Sequence, residues 1–176
     1  MKSIFSIGLA ISTCFLASGC SSSSNSSDAV VATSASIDGT KFLLADEPDD
    51  AVGVIEARES AKDGDSIVVV GRIGGAANPW VEGRAAFTLI DASKLIVADG
   101  QESGEAEICL DDCCAEERAG CTTLVKVIDA DGKLVPADAR KLLGITDSDM
   151  IVVSGKVSKD ETGNFAILAS GVHVRR

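Results

Sequence analysis

What most constrains this chain is a series of five β-branched runs with one helical pattern set between the third and the fourth. Ser66–Gly74 (SIVVVGRIG) is almost continuously apolar, while Ala85–Asp91 (AAFTLID) and Thr122–Asp129 (TTLVKVID) alternate. Met150–Val157 (MIVVSGKV) places Ile151, Val153 and Val157 on one face, with Ser154 and Lys156 on the other. Phe165–Val174 (FAILASGVHV) groups Phe165, Ile167 and Ala169, then changes phase at Ser170-Gly171. Runs of this length and period read as strands, and Asn78-Pro79, Asp131-Gly132 and Glu161-Thr162-Gly163-Asn164 supply the turns. Between the third and fourth runs, Ala139, Leu142 and Leu143 follow helical spacing. Gly144 stands where a helix end favours a residue tolerant of positive φ. Gly71 and Gly171 interrupt the first and last strands and predict bulges or sharp bends, the means by which a small sheet closes on itself.

Upstream, Pro48 and the acids Asp46 to Asp50 suit a helix first turn, and Ala51, Val52 and Ile55 form a modest apolar stripe. A short helix is predicted over 48–61, followed by a turn at Lys62-Asp63-Gly64-Asp65. The expected fold class is mainly β. The order strand, strand, strand, helix, strand, strand resembles the OB-fold, a five-stranded Greek-key barrel with a helix between strands three and four. The resemblance covers about 66–174 and rests on element order and glycine placement; an open five-stranded sandwich is the alternative. The stretches GRIGGAANPW, FTLID, DADGK and LASGVHVR are also similar to those of uncharacterised bacterial secreted lipoproteins, a likeness that implies no activity.

The first twenty residues, MKSIFSIGLAISTCFLASGC, run from one positive charge (Lys2) through an apolar stretch to small residues before a cysteine. That is the order of a secretory signal, and the apolar part is shorter than the roughly 20 residues that span a bilayer. Leu-Ala-Ser-Gly-Cys resembles the lipobox of bacterial lipoproteins, with Ala17 a mild departure at a position where Leu is usual. The resemblance implies cleavage after residue 19, diacylglycerol on the Cys20 sulfur and an acyl chain on its amine. With Ser21 rather than Asp next, it also implies outer-membrane sorting in a cell with two membranes, the protein facing periplasm or exterior. Residues 20–45, which begin SSSSNSS after the cysteine, read as a flexible tether with a reach of about 25–30 Å. The domain is expected over 46–176.

Charge and composition narrow the function. The 176 residues carry 27 acidic and 16 basic side chains, a net −11, with one His, one Trp and no Tyr. Removing 1–19 takes away Lys2 and no acid, leaving 15 basic groups and a formal −12. Such a chain is not drawn to nucleic acid phosphates or to an anionic bilayer by its charge, so lipid must hold it at a membrane. No G-x-S-x-G, H-E-x-x-H or phosphate loop is present. Asp129, Asp131 and Gly132 do not keep calcium-loop spacing and read as a turn. His173 reads as a plain strand residue. Trp80 lies between the first two strands with Arg72 and Arg84 near it in sequence, in the loop that borders the ligand face of OB-folds. An exposed Trp there could stack on a ring, a sugar or a peptide side chain; the alternative is that it closes one end of the barrel.

The unusual constellation is Cys109, Cys113, Cys114 and Cys121, spaced C-x3-C-C-x6-C in an acidic connection over 92–121. A loop this long in a small domain needs something to order it. Three chemistries compete. An exported chain with an even number of thiols usually pairs them, at about 2–3 kcal/mol per bridge. A Cys113–Cys114 bond would be strained, so each of these is expected to pair with Cys109 or Cys121. Alternatively four thiolates could take Zn or Cu, although the spacing lacks paired C-x2-C knuckles. Redox catalysis is disfavoured, because surrounding acids raise thiol pKa. The expectation is therefore a non-enzymatic, lipid-anchored binding module of the cell envelope with a disulfide-stapled loop and no cofactor. Its partners are the membrane through Cys20 and an envelope protein, peptide or glycan. A metal-binding envelope lipoprotein using the cysteine cluster is the second expectation.

Overall fold

The computed structural model describes residues 37–96, 107–108, 110 and 114–176. Among these residues eight strands and three α-helices follow in order: β1 (Val52–Gly53), α1 (Val54–Ser60), β2 (Ser66–Ile73), β3 (Ala86–Asp91), β4 (Leu95–Ile96), β5 (Glu107–Ile108), α2 (Ala115–Cys121), β6 (Thr122–Val127), α3 (Ala139–Leu143), β7 (Met150–Lys159) and β8 (Phe165–Arg175). All five predicted runs are strands, each within two residues of its expected ends. The main sheet runs β1-β2-β3-β6-β8-β7, and a further β2–β7 pairing closes it into a barrel of β2, β3, β6, β8 and β7. Numbering those five strands by chain order gives 1-2-3-5-4-1. The third and fifth (β6, β8) are parallel and every other barrel pair is antiparallel. With α3 between the third and the fourth, the domain is a small OB-like barrel.

The period-two pattern sends Val69, Phe87, Leu89, Val125, Ile151, Val153 and Ile167 inward, all fully buried in one apolar cluster. Each such side chain contributes about 1.5–3 kcal/mol by leaving water. Closure requires a sharp change of direction where β7 meets β8. Ser154 pairs with Gly171 but Gly155 pairs with Ala169, so Ser170 is the extra, bulged residue, at the predicted phase change. A Cβ at Gly155 would collide with the Leu168 carbonyl oxygen and crowd Ala169 Cα. Both are backbone atoms in a paired strand, so neither can move aside. Gly155→Ala should therefore cost about 2 kcal/mol, read as a lowered urea midpoint with an unchanged m-value.

Helix α3 is held by its own punctuation. Asp138 accepts from Arg140 N (3.1 Å) at the N-cap, and Gly144 ends the helix at φ 65°. The N-terminal helix departs from expectation. Residues 48–53 are not helical: Val52 and Gly53 pair in parallel with Val69 and Val70 of β2, and α1 begins only at Val54. The decisive contact comes from far along the chain. Gly53, at the N-cap, has no side chain to cap the helix, and Asp91 at the end of β3 does so instead. Asp91 Oδ2 accepts from Ile55 N (2.9 Å), and Oδ1 accepts from Ser93 N (2.9 Å) and Ser93 Oγ (2.6 Å). A Cβ on residue 53 would press on the same Oδ2. Asp91 is 6% exposed. Burial pushes its pKa up, but the hydrogen bonds from Ser93 and from the amides of Ile55 and Val54 outweigh burial and hold it below the ordinary carboxylate value.

The folded unit also starts earlier than the sequence indicates. A 3-10 turn at Gly39–Phe42 is capped by Asp38, and Phe42 enters the main core cluster. Leu44 N donates to Val172 O (2.9 Å), and Leu43 bridges Val172 in parallel, beyond the point where β6 stops pairing with β8. Arg175 then grips the Glu47 carboxylate through Nε (3.0 Å) and Nη2. Residues 38–47 are thus a strap on β8, which corrects the expected tether end at 45. Its apolar residues form a single short run, Phe42-Leu43-Leu44, without strand or helix period, which is the reason.

Candidate functional site on the outer face of β3 and β6

The period that points Phe87, Leu89, Val125 and Val127 inward turns Thr88 of β3 and Thr122, Leu124 and Lys126 of β6 outward. Beside them stands the β7–β8 turn over 160–164, organised by one carboxylate. Asp160 accepts from Thr162 N (2.9 Å), Thr162 Oγ (2.6 Å), Asn164 N (3.0 Å) and Asn164 Nδ2 (2.7 Å). The Thr162 and Asn164 side chains hold its pKa down to about 2. From the other side, Arg58 of α1 reaches over β6, donating from Nη1 to Thr122 O (3.1 Å) and stacking 5.3 Å from the Phe165 ring centroid. Lys159 Nζ lies 5.9 Å from the same ring and donates to Arg58 O (3.3 Å).

These elements frame two adjoining depressions. One, of about 370 Å³, is lined by Arg58, Thr88, Thr122, Leu124 and Asn164 among others. The next, of about 350 Å³, is lined by Leu124, Lys126, Ser158, Asp160 and Asn164. Both share Leu124, Asn164 and Phe165, so they form one groove along β6, with Thr88 of β3 at one end, Ser158 of β7 and Ala166 of β8 at the other, and the loop between barrel strands four and five beside it. Barrel strand three and the loop between strands four and five also border the ligand face of OB-folds. A larger hollow of about 500 Å³ lies across β2, β7 and β8, with Val68 and Leu168 among its apolar lining and Asp49, Asp50 and Lys156 among its charged groups.

The residues expected to make a stacking face are placed differently. Trp80 is only 9% exposed and belongs to the main core cluster. Its Nε1 donates to Asp147 Oδ1 (2.6 Å), Phe87 lies 6.0 Å away between ring centroids, and the Arg140 guanidinium sits 5.5 Å from its ring. Trp80 also bridges Phe87 as the 74–85 loop folds back over β3. It closes the barrel rather than offering a ring to a ligand. Arg72, half-buried on β2, donates from Nη1 to Ser148 O (3.4 Å), so it reaches the same 146–149 loop as Trp80. Arg84 is exposed in the preceding turn and apart from both these contacts. The groove residues Thr88, Thr122 and Asn164 carry no motif. Their signal is positional: outward positions on strands two and three and a place in the turn between strands four and five, readable once the strand order is known.

Of the cysteines, Cys20, Cys109 and Cys113 lie outside the described residues. Cys114, at the N-terminus of α2, has an interaction partner. Cys121, at the other end of α2, is a free thiol, which corrects the expectation that it bridges Cys113 or Cys114. It is 3% exposed and packs with Ile90 and Ile55, its Sγ 3.4 Å from Arg118 O. Burial, above all, raises its pKa, with Glu117 and Asp91 adding to the effect against Lys94. A protonated, buried thiol is a poor metal ligand. Among the described residues no cluster of three or more His, Cys, Asp or Glu side chains could hold a metal ion. Native alkylation should accordingly leave Cys121 unmodified, with labelling only after denaturation; rapid labelling of the folded chain, mapped by peptide mass, would contradict its burial.

Compared with known proteins, the sequence matches no family model and no curated protein. Among the described residues no helix is long and apolar enough to cross a membrane.

Proposed function

We propose that this protein is a lipid-anchored, non-enzymatic binding module of the cell envelope, tethered through Cys20 and presenting its ligand on the outer face of β3 and β6. The observation that carries the binding part is the groove along that face, framed by the 160–164 turn and by Arg58. Its lining suits recognition rather than bond breaking. The hydroxyls, an amide and cations surround a single acid, Asp160, whose oxygens are already engaged by Thr162 and Asn164. The anchoring part rests on the Leu-Ala-Ser-Gly-Cys sequence and on the small, polar run that follows it.

The staple belongs to the same proposal in a reduced form. Cys121 stays a free thiol, and a bond between adjacent cysteines would be strained, so Cys114 pairs with Cys109. That bridge closes a short loop just before α2. Non-reducing peptide mapping should recover a Cys109–Cys114 linked species; a Cys121-linked one would overturn the assignment. Membrane fractionation tests the module as a whole. Lipid, unlike charge, holds through salt, so the chain should stay in the membrane fraction after a molar salt wash. Its recovery in the wash would sink the proposal.

A further inference from the structure

We propose that the β3–β6 groove takes an acidic saccharide, a hydroxyl-rich ligand bearing a carboxylate, with Arg58 and Lys126 meeting the charge. The inference rests on the reading of that groove as the ligand site and names the chemistry it selects.

The first observation is a local reversal of charge. The chain carries an acid excess of 11, yet the two depressions bring together Arg58 and Lys126 against one acid, Asp160. Asp160 accepts four hydrogen bonds from its own turn, so it has little left to offer a ligand. Neither cation forms an ion pair among the described residues, where the pairs are Arg140–Asp138 and Arg175–Glu47. Arg58 spends Nη1 on Thr122 O and keeps Nε and Nη2 without protein acceptors among those residues. A guanidinium fixed on an aromatic face, with donors to spare, is set to take a planar carboxylate.

The second observation concerns the remaining polar atoms. Thr88 Oγ makes no hydrogen bond to a described residue, and Asn164 commits its Nδ2 to Asp160 and Thr162, which leaves its Oδ1 as an acceptor. A hydroxyl that both donates and accepts, beside a fixed amide oxygen, matches the mixed polarity of sugar hydroxyls. The third observation weighs against the commonest peptide mode. β6 is paired with β3 on one side and, from Leu124 to Val127, with β8 on the other, so over that stretch the groove has no open strand edge to which a peptide backbone could add.

The full chain, in detergent where lipidated, is titrated calorimetrically with galacturonic acid oligomers, neutral galactose oligomers of the same length, and a glutamate hexapeptide. The proposal expects the acidic saccharide to bind at least about tenfold more tightly than the neutral one, the scale of one hydrogen bond to a charged group, and to weaken with salt. Arg58→Gln and Lys126→Gln should each remove much of that preference. Lys126, outward on β6, leaves the fold intact even if the Phe165 stack depends on Arg58. Equal binding of both saccharides would overturn the acidic preference, and binding unaffected by either variant would also overturn the groove as its site. Tighter binding of the hexapeptide than of either saccharide would overturn the saccharide class. No binding in any arm would overturn the inference and count against the groove itself.

Discussion

Asp91→Ala should lower the stability of the domain by about 4 kcal/mol, the sum expected when several charge-assisted hydrogen bonds are lost and their donors stay buried. The donors are Ile55 N, Ser93 N and Ser93 Oγ, and the α1 N-terminus loses its cap. Removal of a cap alone costs up to about 2 kcal/mol; burial at 6% exposure and the second hydrogen-bonded turn at Ser93 make up the rest. In thermal unfolding the loss should appear as a fall of about 10 °C in Tm. The same residue sets part of the acid limb. Its folded pKa lies below its unfolded value, so its contribution is complete above the ordinary carboxylate range and disappears as pH falls through the lower, folded value. Asp138 and Asp160, both held near 2, titrate in the same window. Wild type should therefore lose stability steadily below about pH 4, and its advantage over Asp91→Asn should shrink over the same range. A constant gap between the two from pH 7 to pH 2 would show that the charge on Asp91 does not stabilise α1.

Cys20→Ala should have the larger cellular effect under the proposed anchoring. Without its sulfur the chain has no site for diacylglycerol, and a mature domain with 15 basic against 27 acidic groups has no electrostatic hold on an anionic bilayer. A single acyl chain gives only marginal membrane binding, so partial modification would not rescue the variant. Near-complete transfer from membrane to soluble fraction is expected, with folding unchanged, because the strap and barrel begin well after residue 20. A variant that remains with the membrane would place the hold elsewhere in the chain.

Most of the barrel was legible in the sequence because closure leaves a period-two imprint: one face of every strand must be apolar, and bends need glycine or a phase change. The Ser170-Gly171 shift, read from the pattern alone, is where the register of β7 and β8 breaks. α3 was legible for a similar reason, since Asp138 and Gly144 punctuate it locally. The failures share a cause of another kind. Pro48 and its acids imitate a helix start, but α1 begins where Asp91 caps it from 36 positions away, a contact that no local window contains. The strap over 38–47 was invisible because its apolar residues form one short run, Phe42-Leu43-Leu44, with no strand or helix period, and of these only Phe42 is buried. The cysteine spacing could not show that Cys121 would be buried against Ile55 and Ile90 and so withdrawn from pairing. Trp80 drew attention for its chemistry, yet its indole closes the barrel on Asp147. The groove is built instead from ordinary threonines, an asparagine and cations, which take on meaning only through their places on β3, β6 and the adjoining turn.

Metabolic labelling with radioactive palmitate is the most direct test of the account. The wild-type chain should take up label while Cys20→Ala takes up none. An unlabelled wild type, or a labelled Cys20→Ala, would contradict the anchored module.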